Sequence, residues 1–554
     1  MVDLDAAASV SPQESAANFS DSVLELRKSL HGERILAAID VGTNSVHMVV
    51  VKIQPELPAF TIIGREKDTV RLGNFLPGTS SLSGEAMDRG IAALKRCRQI
   101  ATSLQADDIV VVATSATREA RNGQEFIDRV RHEVGLEISL ISGIEEARRI
   151  YLGVLSGMEL QGKPHAIIDI GGGSTELILG TGERHRFLSS TKVGAVRLNA
   201  QHVTTNPISK EEFVALRTYV RGRLEPTIDD LKGHLKPGES LSLIGTSGTI
   251  ESLAALSALN SLGTVPDSLS GYSMTAAQLD ACVERLRRMS YSERLSLPIS
   301  ARRAEIIVPG AVILQEAVRM LGVDRITICG HALREGLVVD WMLTYGLIED
   351  RMQYQDSVRE RSVVKAARKY RVDTPHSRLV AKFALDVFDQ TRGCLHDLGP
   401  LEREYLWAAA MLHNVGHFVS HAAHHKHSYY LIRNGELLGF TDIEIELIAN
   451  IARYHRKSAP KTKHEPYKHL PKAYRRVVDR LSAMLRIAVA LDRRRIGAIA
   501  GFQVVYDAAA RRASLLYEPA LADDSCELEV WSVNLKKACF EQEFELTLVP
   551  QLKT

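Results

Sequence analysis

A short motif that occurs twice sets the strongest limit on how this chain folds. An apolar run at residues 37–39 leads into residues 40–45, and 129 residues later the same order returns at 166–168 and 169–174. Both copies have the form D-[VI]-G-x-x-S, and a second apolar run follows each of them. Two apolar runs around a short glycine-containing turn predict a β-hairpin. Two related hairpins at this separation predict two similar lobes that face each other across a cleft.

The patterns around the hairpins predict an α/β protein with a helical part behind it. Strands are predicted at 60–64 and 109–113, and helical apolar spacing predicts a helix at 84–104. Long helices are then predicted at 362–369, 377–391, 401–412, 442–454 and 474–492. Short strands are predicted at 502–506, 513–517, 527–533 and 544–549. The predicted order is an N-terminal arm (1–33), two α/β lobes (34–150 and 151–345), a helical domain (350–500) and a small α+β domain (501–554).

Charge is unevenly distributed along the chain. The formal net charge is only +2, but residues 351–500 contain 27 Lys and Arg against 15 Asp and Glu, a net of +12. Eleven of the 19 histidines lie in the same segment. Such a segment indicates a polyanionic partner, namely polyphosphate, nucleic acid or the surface of an anionic membrane. A solvated basic face without a partner is the alternative.

Several classes of protein are excluded or disfavoured. The six cysteines are far apart and form no C-x-x-C pair, which favours reduced thiols over a disulfide framework or a zinc site. No apolar run is long enough for a transmembrane helix, and no signal peptide is recognisable. We therefore expect a cytoplasmic protein. The absence of G-x-x-x-x-G-K-[ST] excludes a P-loop NTPase.

The repeated loops have the chemistry of a phosphate site. Their glycines allow backbone N–H groups to approach an anion closely, and a carboxylate at each strand end, Asp40 or Asp169, can hold a hydrated Mg²⁺. A third loop, 245–249, follows a strand and opens a helix, so it presents amide groups to an anion. A fourth, 330–336, has the same order. The candidate phosphate-binding residues are Thr43, Asn44, Ser45, Gly171, Gly172, Gly173, Ser174, Thr175, Ser247, Gly248 and Thr249.

Two polar segments, 113–122 and 141–148, contain candidate catalytic residues. The guanidinium of Arg118 can bind two phosphoryl oxygens, although an ion pair with Glu119 or a neighbour is the structural alternative. Glu145 and Glu146 follow a strand, and one of them can act as a general base on water. Either can instead form a capping box with Ser142.

Six motifs in this order resemble the exopolyphosphatase/guanosine pentaphosphate phosphatase (Ppx/GppA) family of the actin, sugar kinase and heat-shock ATPase superfamily. They are residues 40–45, 115–119, 142–147, 169–176, 245–249 and 332–336. The resemblance implies two actin-like (RNase H-like) lobes, with Glu146 as the base that activates water and Glu145 as its alternative. It implies a divalent metal ion surrounded by Asp40, Asp169 and Glu176. It further implies that Arg118 helps to grip the terminal phosphates, and that the protein is a homodimer.

The helical segment has a second resemblance. His376, His413-Asn414 and Asp492 stand in the order of the HD phosphohydrolase motif, with Asn414 where that motif has an aspartate. An amide is a poor replacement for a carboxylate ligand, so we expect an HD-like domain without metal catalysis of its own. The spacing of His413, His417 and His421 predicts that they share one helix face. We favour solvated or phosphate-contacting histidines here over a metal site.

The sequence thus predicts an exopolyphosphatase that uses Mg²⁺ or another divalent cation and binds long polyphosphate along its basic helical domain. A guanosine pentaphosphate 5′-phosphatase is the close alternative, because the same machinery serves both substrates. A non-enzymatic regulator that binds polyanions is the alternative from a different class. A kinase of the same superfamily is disfavoured, because no residues of an acceptor site can be identified.

Overall fold

The computed structural model describes residues 33–54, 59–73, 79–348, 358–435 and 437–553. The chain divides into two compact units, one up to Asp356 and one from Ser357. The predicted arm at 1–33 lies outside the described residues except for Glu33. None of the described helices is both long and apolar enough to cross a bilayer.

The first unit contains two mixed β-sheets with helices. Its strands are β1 (Arg34–Val41), β2 (Val46–Gln54), β3 (Ala59–Asp68), β4 (Asp108–Ala113), β5 (Ile138–Leu140), β6 (His165–Ile170), β7 (Thr175–Gly180), β8 (His185–Thr191), β9 (Ser242–Thr246), β10 (Ser273–Thr275) and β11 (Arg325–Ile328). Its helices are α1 (Gly84–Ser103), α2 (Ser115–Glu119), α3 (Gly123–Val134), α4 (Gly143–Gly157), α5 (Ala195–His202), α6 (Lys210–Gly233), α7 (Gly248–Leu262), α8 (Ala276–Arg288), α9 (Tyr291–Arg294), α10 (Ala301–Leu321) and α11 (Leu333–Thr344).

Both sheets of this unit are built in the same strand order. The first runs β3-β2-β1-β4-β5, and the second runs β8-β7-β6-β9-β11 with β10 added at its edge. In each sheet the strand that carries the repeated motif pairs antiparallel with the next strand and parallel with a later one. The sequence repeat is therefore a repeat of topology, and the predicted pair of actin-like α/β lobes is confirmed.

The two motif turns have the same hydrogen bond. Gly42 N donates to Ser45 O at 3.0 Å, and Gly171 N donates to Ser174 O at 2.9 Å. A Cβ atom at either glycine would lie 3.1 Å from that serine oxygen, a tight contact that glycine avoids. Each turn therefore leaves the preceding aspartate at the end of its strand and the following polar residues beside it.

Helices α4 and α11 pack closely and share one core with both sheets. A Cβ atom on Gly153 would lie 1.9 Å from Ala332 O, and one on Gly336 would lie 1.7 Å from Arg149 O, so both positions need glycine. The buried cluster that includes these helices also includes residues of β1, β2, β6 and β7. The predicted lobe boundary at 150/151 therefore falls inside α4, because α4 is packed against both sheets.

The second unit is helical with one small sheet. Its helices are α12 (Val358–Lys369), α13 (Thr374–Thr391), α14 (Pro400–Leu412), α15 (His424–Arg433), α16 (Asp442–Arg453), α17 (Glu465–Lys468), α18 (Lys472–Leu491), α19 (Glu527–Lys536) and α20 (Ala538–Phe544). Strands β12 (Ile499–Asp507), β13 (Arg512–Pro519) and β14 (Thr547–Leu552) form the sheet in that order. The helices and the sheet share one hydrophobic core.

Two local predictions for this unit are wrong. The strand predicted at 527–533 is helix α19, where the fully buried Glu529 accepts hydrogen bonds from Arg494 at 2.9–3.1 Å. This long-range ion pair holds a segment whose alternating apolar pattern favoured a strand. His413 caps the C-terminus of α14 and His417 lies in a 3₁₀ turn (Val415–Phe418), so the histidines at 413, 417 and 421 do not share one helix face.

Candidate active site

A cavity of about 240 Å³ lies between the two lobes of the first unit. Both repeated loops line it, as do the loop before α7 and the residues that lead into α11. Helix N-termini and glycine turns therefore meet at one place, which is the arrangement that binds phosphate. The predicted phosphate-binding residues that line the cavity are Thr43, Asn44, Ser45, Gly171, Gly172, Gly173, Ser174, Ser247 and Gly248.

Two predicted phosphate-binding residues lie behind the residues that line the cavity. The Thr175 hydroxyl donates to Val193 O at 2.5 Å, and Thr249 Oγ1 accepts a hydrogen bond from Arg303 Nη1 at 2.8 Å. Both threonines are fully buried and neither lines the cavity. The hydroxyls that were expected to bind phosphate are thus used to hold the loops in place.

Ser247 adopts a backbone conformation that disfavours a side chain. Its φ is 88° and its ψ is 155°, a region used almost only by glycine and costing about 1–3 kcal/mol for other residues. Its hydroxyl is buried and has no hydrogen-bond partner among the described residues. A strained serine with an unused hydroxyl in a cavity wall indicates a contact with a ligand.

Four carboxyl groups lie together at this site. Asp40 ends β1 and Asp169 ends β6. Glu176 stands opposite Asp169 in the β6–β7 pair, and Glu146 lies in the first turn of α4. Burial and the neighbouring charge of Glu146 raise the pKa of Asp40 to about 8 and that of Asp169 to about 7. Burial raises the pKa of Glu146, and burial with the charges of Glu146 and Asp169 raises that of Glu176 well above its usual value.

The oxygen atoms of these carboxyl groups fit a hard divalent cation that the substrate also helps to hold. Asp40 Oδ1 is buried without a hydrogen-bond partner, and Glu176 Oε1 accepts from Ser190 Oγ at 2.7 Å. In the part of the chain that the structure describes, no three His, Cys, Asp or Glu side chains are grouped so as to hold a metal ion. Asp40, Asp169 and Glu176 therefore do not form a ready three-ligand site. Mg²⁺ suits this arrangement, because it commonly takes one or two carboxylates and completes its shell with water and phosphate oxygens.

We expect Mg²⁺ to stabilise the protein more at pH 8 than at pH 6. Because the pKa values of Asp40 and Asp169 are raised on folding, their contribution favours the folded state at low pH and is lost as pH rises through about 7–8. A cation offsets the repulsion between the ionised carboxylates, but at pH 6 it must displace protons. Thermal unfolding with and without Mg²⁺ at both pH values measures this, with Asp169→Asn as control. An equal Mg²⁺ effect at pH 6 and pH 8 would contradict the expectation.

The two adjacent glutamates occupy different environments. Ser142 Oγ accepts the N–H of Glu145 at 3.2 Å and so starts α4. The Glu145 side chain is 43% exposed and pairs with Arg148 and Arg149, whereas that of Glu146 is 9% exposed and lines the cavity. This geometry favours Glu146 over Glu145 as the group that reaches a bound water.

Arg118 contacts the glutamate that faces the cavity. Its Nη1 donates to Glu146 Oε2 at 3.2 Å and to Ile141 O at 2.8 Å. The ion-pair alternative is met with Glu146 and not with Glu119, because Glu119 pairs with Arg197 at 2.9 Å and Lys192 at 3.4 Å. Arg118 therefore fixes the carboxylate of Glu146 beside the two repeated loops, but it is not among the described residues that line the cavity, where a phosphate-gripping side chain was predicted.

The cavity also contains several charged residues that the sequence motifs did not identify as site residues. Lys67 on β3, Arg303 on α10 and Arg334 on α11 line it, together with His47 and Glu251. Burial and the charges of Arg334, Lys67 and Arg303 lower the pKa of His47 to about 3. Arg334 lies within one of the family motifs and was detectable there. Lys67 and Arg303 belong to no motif, since a single cation on a strand or helix has no distinguishing pattern.

The HD-type residues of the second unit also lie close together. His376 Nδ1 is 2.6 Å from Asp492 Oδ2, and the rings of His376 and His413 are 5.5 Å apart. Asn414 is buried next to His413 in the sequence. The fold thus brings the predicted HD-like constellation together, with an amide in place of its aspartate.

Both family models that match this chain describe the Ppx/GppA phosphatases. The model of the Ppx/GppA phosphatase family matches residues 49–345, and that of Ppx/GppA phosphatase domain III matches residues 358–537. A solved exopolyphosphatase from Cytophaga hutchinsonii is 25% identical, covering 57% of this chain and 100% of its own, with a TM-score of 0.52. A solved exopolyphosphatase-like protein is 26% identical, covering 56% and 99%, with a TM-score of 0.50. A Ppx/GppA family member from Aquifex aeolicus is 27% identical, covering 56% and 99%, with a TM-score of 0.48.

Proposed function

The chain belongs to the Ppx/GppA phosphatase family, and from this premise we propose that it is an exopolyphosphatase. It would remove terminal orthophosphate from long inorganic polyphosphate, one unit at a time. The observation that carries this proposal is the group of three cations, Lys67, Arg303 and Arg334, in the same cavity as the carboxyl cluster. A substrate with several consecutive phosphates uses both features, because its terminal phosphate meets the carboxylates and the next ones meet the cations.

The residues of the cavity support hydrolysis by water. Glu146 takes a proton from a water molecule, and the oxygen of that water forms a bond to the terminal phosphorus. The bond between this phosphorus and the bridging oxygen breaks, which gives orthophosphate and a chain shorter by one unit. Arg118 keeps Glu146 in place, and the loop amides and the hydroxyls of Thr43 and Ser45 donate to the phosphoryl oxygens.

A divalent cation, in our proposal Mg²⁺, would be held by one or two of the carboxylates of Asp40, Asp169 and Glu176, together with phosphate oxygens and water. It would supply positive charge against the phosphoryl oxygens. The cytoplasmic location and the homodimer stay predictions from the sequence.

Guanosine pentaphosphate is the second candidate substrate, and the cavity lining favours polyphosphate over it. Among the residues that the structure describes, the lining includes no Phe, Tyr or Trp on which a guanine base could stack. The segment 351–500, with its net charge of +12, suits a long polyanion better than a nucleotide.

We expect kcat/KM to be at least about tenfold higher for long polyphosphate than for guanosine pentaphosphate, and to fall more steeply with salt for the long chain, by analogy with counterion release from nucleic acids. Released phosphate is measured for both substrates at several salt concentrations. Tripolyphosphate is the control, because it has consecutive phosphates but is too short to extend along a basic domain. Faster turnover of guanosine pentaphosphate would make the second candidate the function.

A further inference from the structure

A second, smaller cavity of about 90 Å³ adjoins the main cavity of the first unit. The two cavities share three lining residues, which we call the partition: Thr43, Ser115 and Gly173. Arg197, Ala200 and Gln201 line only the small cavity. Ala200 and Gln201 are exposed, so the small cavity reaches the surface of the protein. The partition therefore separates the phosphate loops from a second opening.

The partition is made of two hydroxyl side chains and a glycine. A Cβ atom on Gly173 would lie 2.5 Å from Ser115 Oγ and 2.8 Å from Thr43 Oγ1, so the hydroxyls occupy the space beside this glycine. Thr43 and Ser115 belong to the first lobe and Gly173 belongs to the second. The partition is thus a contact between the lobes, and rotation of a short side chain or a small shift between the lobes can open it.

Arg197 connects the two sides of the partition. Its Nε donates to Gly173 O at 2.9 Å, and its Nη2 donates to Glu119 Oε2 at 2.9 Å. The other carboxylate oxygen of Glu119 accepts a hydrogen bond from Ser115 Oγ at 3.0 Å. Lys192 pairs with Glu119 as well, at 3.4 Å. Two cations therefore share one carboxylate beside the small cavity, and this excess of positive charge attracts an anion.

Hydrolysis from the end of a polymer restricts the order in which the products can leave. The terminal phosphate is bound at the loops, and the rest of the chain fills the main cavity in front of it. After the bond breaks, orthophosphate can leave through the main cavity only when the shortened chain has dissociated. An opening on the other side of the loops lets orthophosphate leave first, so that the chain stays bound and advances by one unit.

We propose that the small cavity is the exit for orthophosphate, and that Arg197 guides the anion through the opened partition. The inference rests on the proposed hydrolysis of a terminal phosphate in the main cavity, and it adds the order of product release. The volume of the small cavity is several times the roughly 15 Å³ that one water molecule needs, which is room for one small anion. The guanidinium of Arg197 suits the oxygens of orthophosphate.

Product inhibition tests the order of release. Initial rates of the full-length protein on long polyphosphate are measured at several concentrations of added orthophosphate. Orthophosphate that leaves while the chain is still bound lowers the apparent kcat when it is added, whereas orthophosphate that leaves last competes with polyphosphate and raises only the apparent KM. We expect the apparent kcat to fall. Purely competitive inhibition would overturn the proposal.

A variant that fills the small cavity tests the route. Ala200→Phe places a ring there and changes no residue of the main cavity. We expect it to lower the steady-state kcat about tenfold, because product release becomes limiting, and to leave the single-turnover rate of cleavage in acid-quenched samples unchanged. Ala200→Ser is the matched control and should change neither rate. Equal steady-state rates in the two variants would show that orthophosphate leaves elsewhere.

A second variant covers the case in which Ala200→Phe fails to fold, as judged by thermal unfolding. Gln201→Trp fills the same cavity from an exposed position and should slow steady-state turnover in the same way. Gln201→Asn is its control.

Failure of the exit and failure of the proposed function give different results. If the protein hydrolyses guanosine pentaphosphate and not polyphosphate, the proposed function is wrong, and the same variants test the exit with the nucleotide. If it hydrolyses polyphosphate with purely competitive inhibition and with equal rates in the variants, the proposed function stands and the exit is wrong. Absence of hydrolysis on either substrate would overturn both.

Discussion

Replacing Glu146 by alanine is expected to lower kcat on polyphosphate about 10²-fold or more, the usual scale for loss of a general base, and to leave binding nearly unchanged. The expectation rests on the position of this side chain, which lines the cavity between the two repeated loops. Burial raises its pKa, and this brings a carboxylate closer to the basicity that proton transfer near neutral pH requires. Single-turnover release of phosphate from bound polyphosphate measures the chemical step apart from binding.

Glu145→Ala is the matched control, because it removes the same group from the neighbouring residue. Glu145 is bound to Arg148 and Arg149, so its loss should disturb the start of α4 and change kcat only slightly. Loss of activity in Glu145→Ala with activity retained in Glu146→Ala would move the role to Glu145. Activity retained in both variants would remove the general-base hypothesis altogether.

The duplicated hairpins could be predicted because their signals are local. A glycine turn between two apolar runs determines its own geometry, and the two turns share the same hydrogen bond between the glycine N–H and the serine carbonyl oxygen. Once the strands are placed, Asp40 and Asp169 must lie at strand ends that carry the loops. The predicted carboxyl cluster and most of the predicted phosphate-binding residues follow from this.

The other residues of the cavity are brought together by contacts between segments that are far apart in the sequence. Lys67 and Arg303 come from a strand and a helix 236 residues apart in the sequence, and only the fold brings them into one cavity. Thr249 lies in one of the motifs, but its hydroxyl oxygen accepts a hydrogen bond from Arg303 and does not line the cavity. The segment 527–533 has the alternation of a strand, yet it lies in helix α19, where Glu529 pairs with Arg494. In each case a partner far along the chain decides the outcome.

We expect Asp169→Ala to abolish hydrolysis of both polyphosphate and guanosine pentaphosphate. The substitution removes one carboxylate from the end of β6, and with it part of the charge that would hold a divalent cation against the substrate. It should not unfold the protein, because the cluster loses one of its mutually repelling acidic groups. Thermal unfolding without Mg²⁺ is the folding control, and the variant should be at least as stable as the original protein.

This expectation includes the HD-like residues of the second unit, which are not expected to catalyse hydrolysis on their own. Asn414 cannot supply the negative charge with which a carboxylate holds a divalent metal and lowers the pKa of bound water. Asp492 is held by His376 at 2.6 Å, and Lys536 and Arg495 contribute to lowering the pKa of His413. These cations therefore disfavour a metal ion beside His413.

Phosphate release by purified Asp169→Ala, supplied with Mg²⁺ or Mn²⁺, tests both parts of the expectation. Full loss on both substrates assigns all hydrolysis to the cavity of the first unit. If substantial activity remains, His413→Ala is added to the same chain. Residual activity that then disappears would reveal a second active site around His413, because that histidine is fully buried in the other unit and lies in no part of the first cavity.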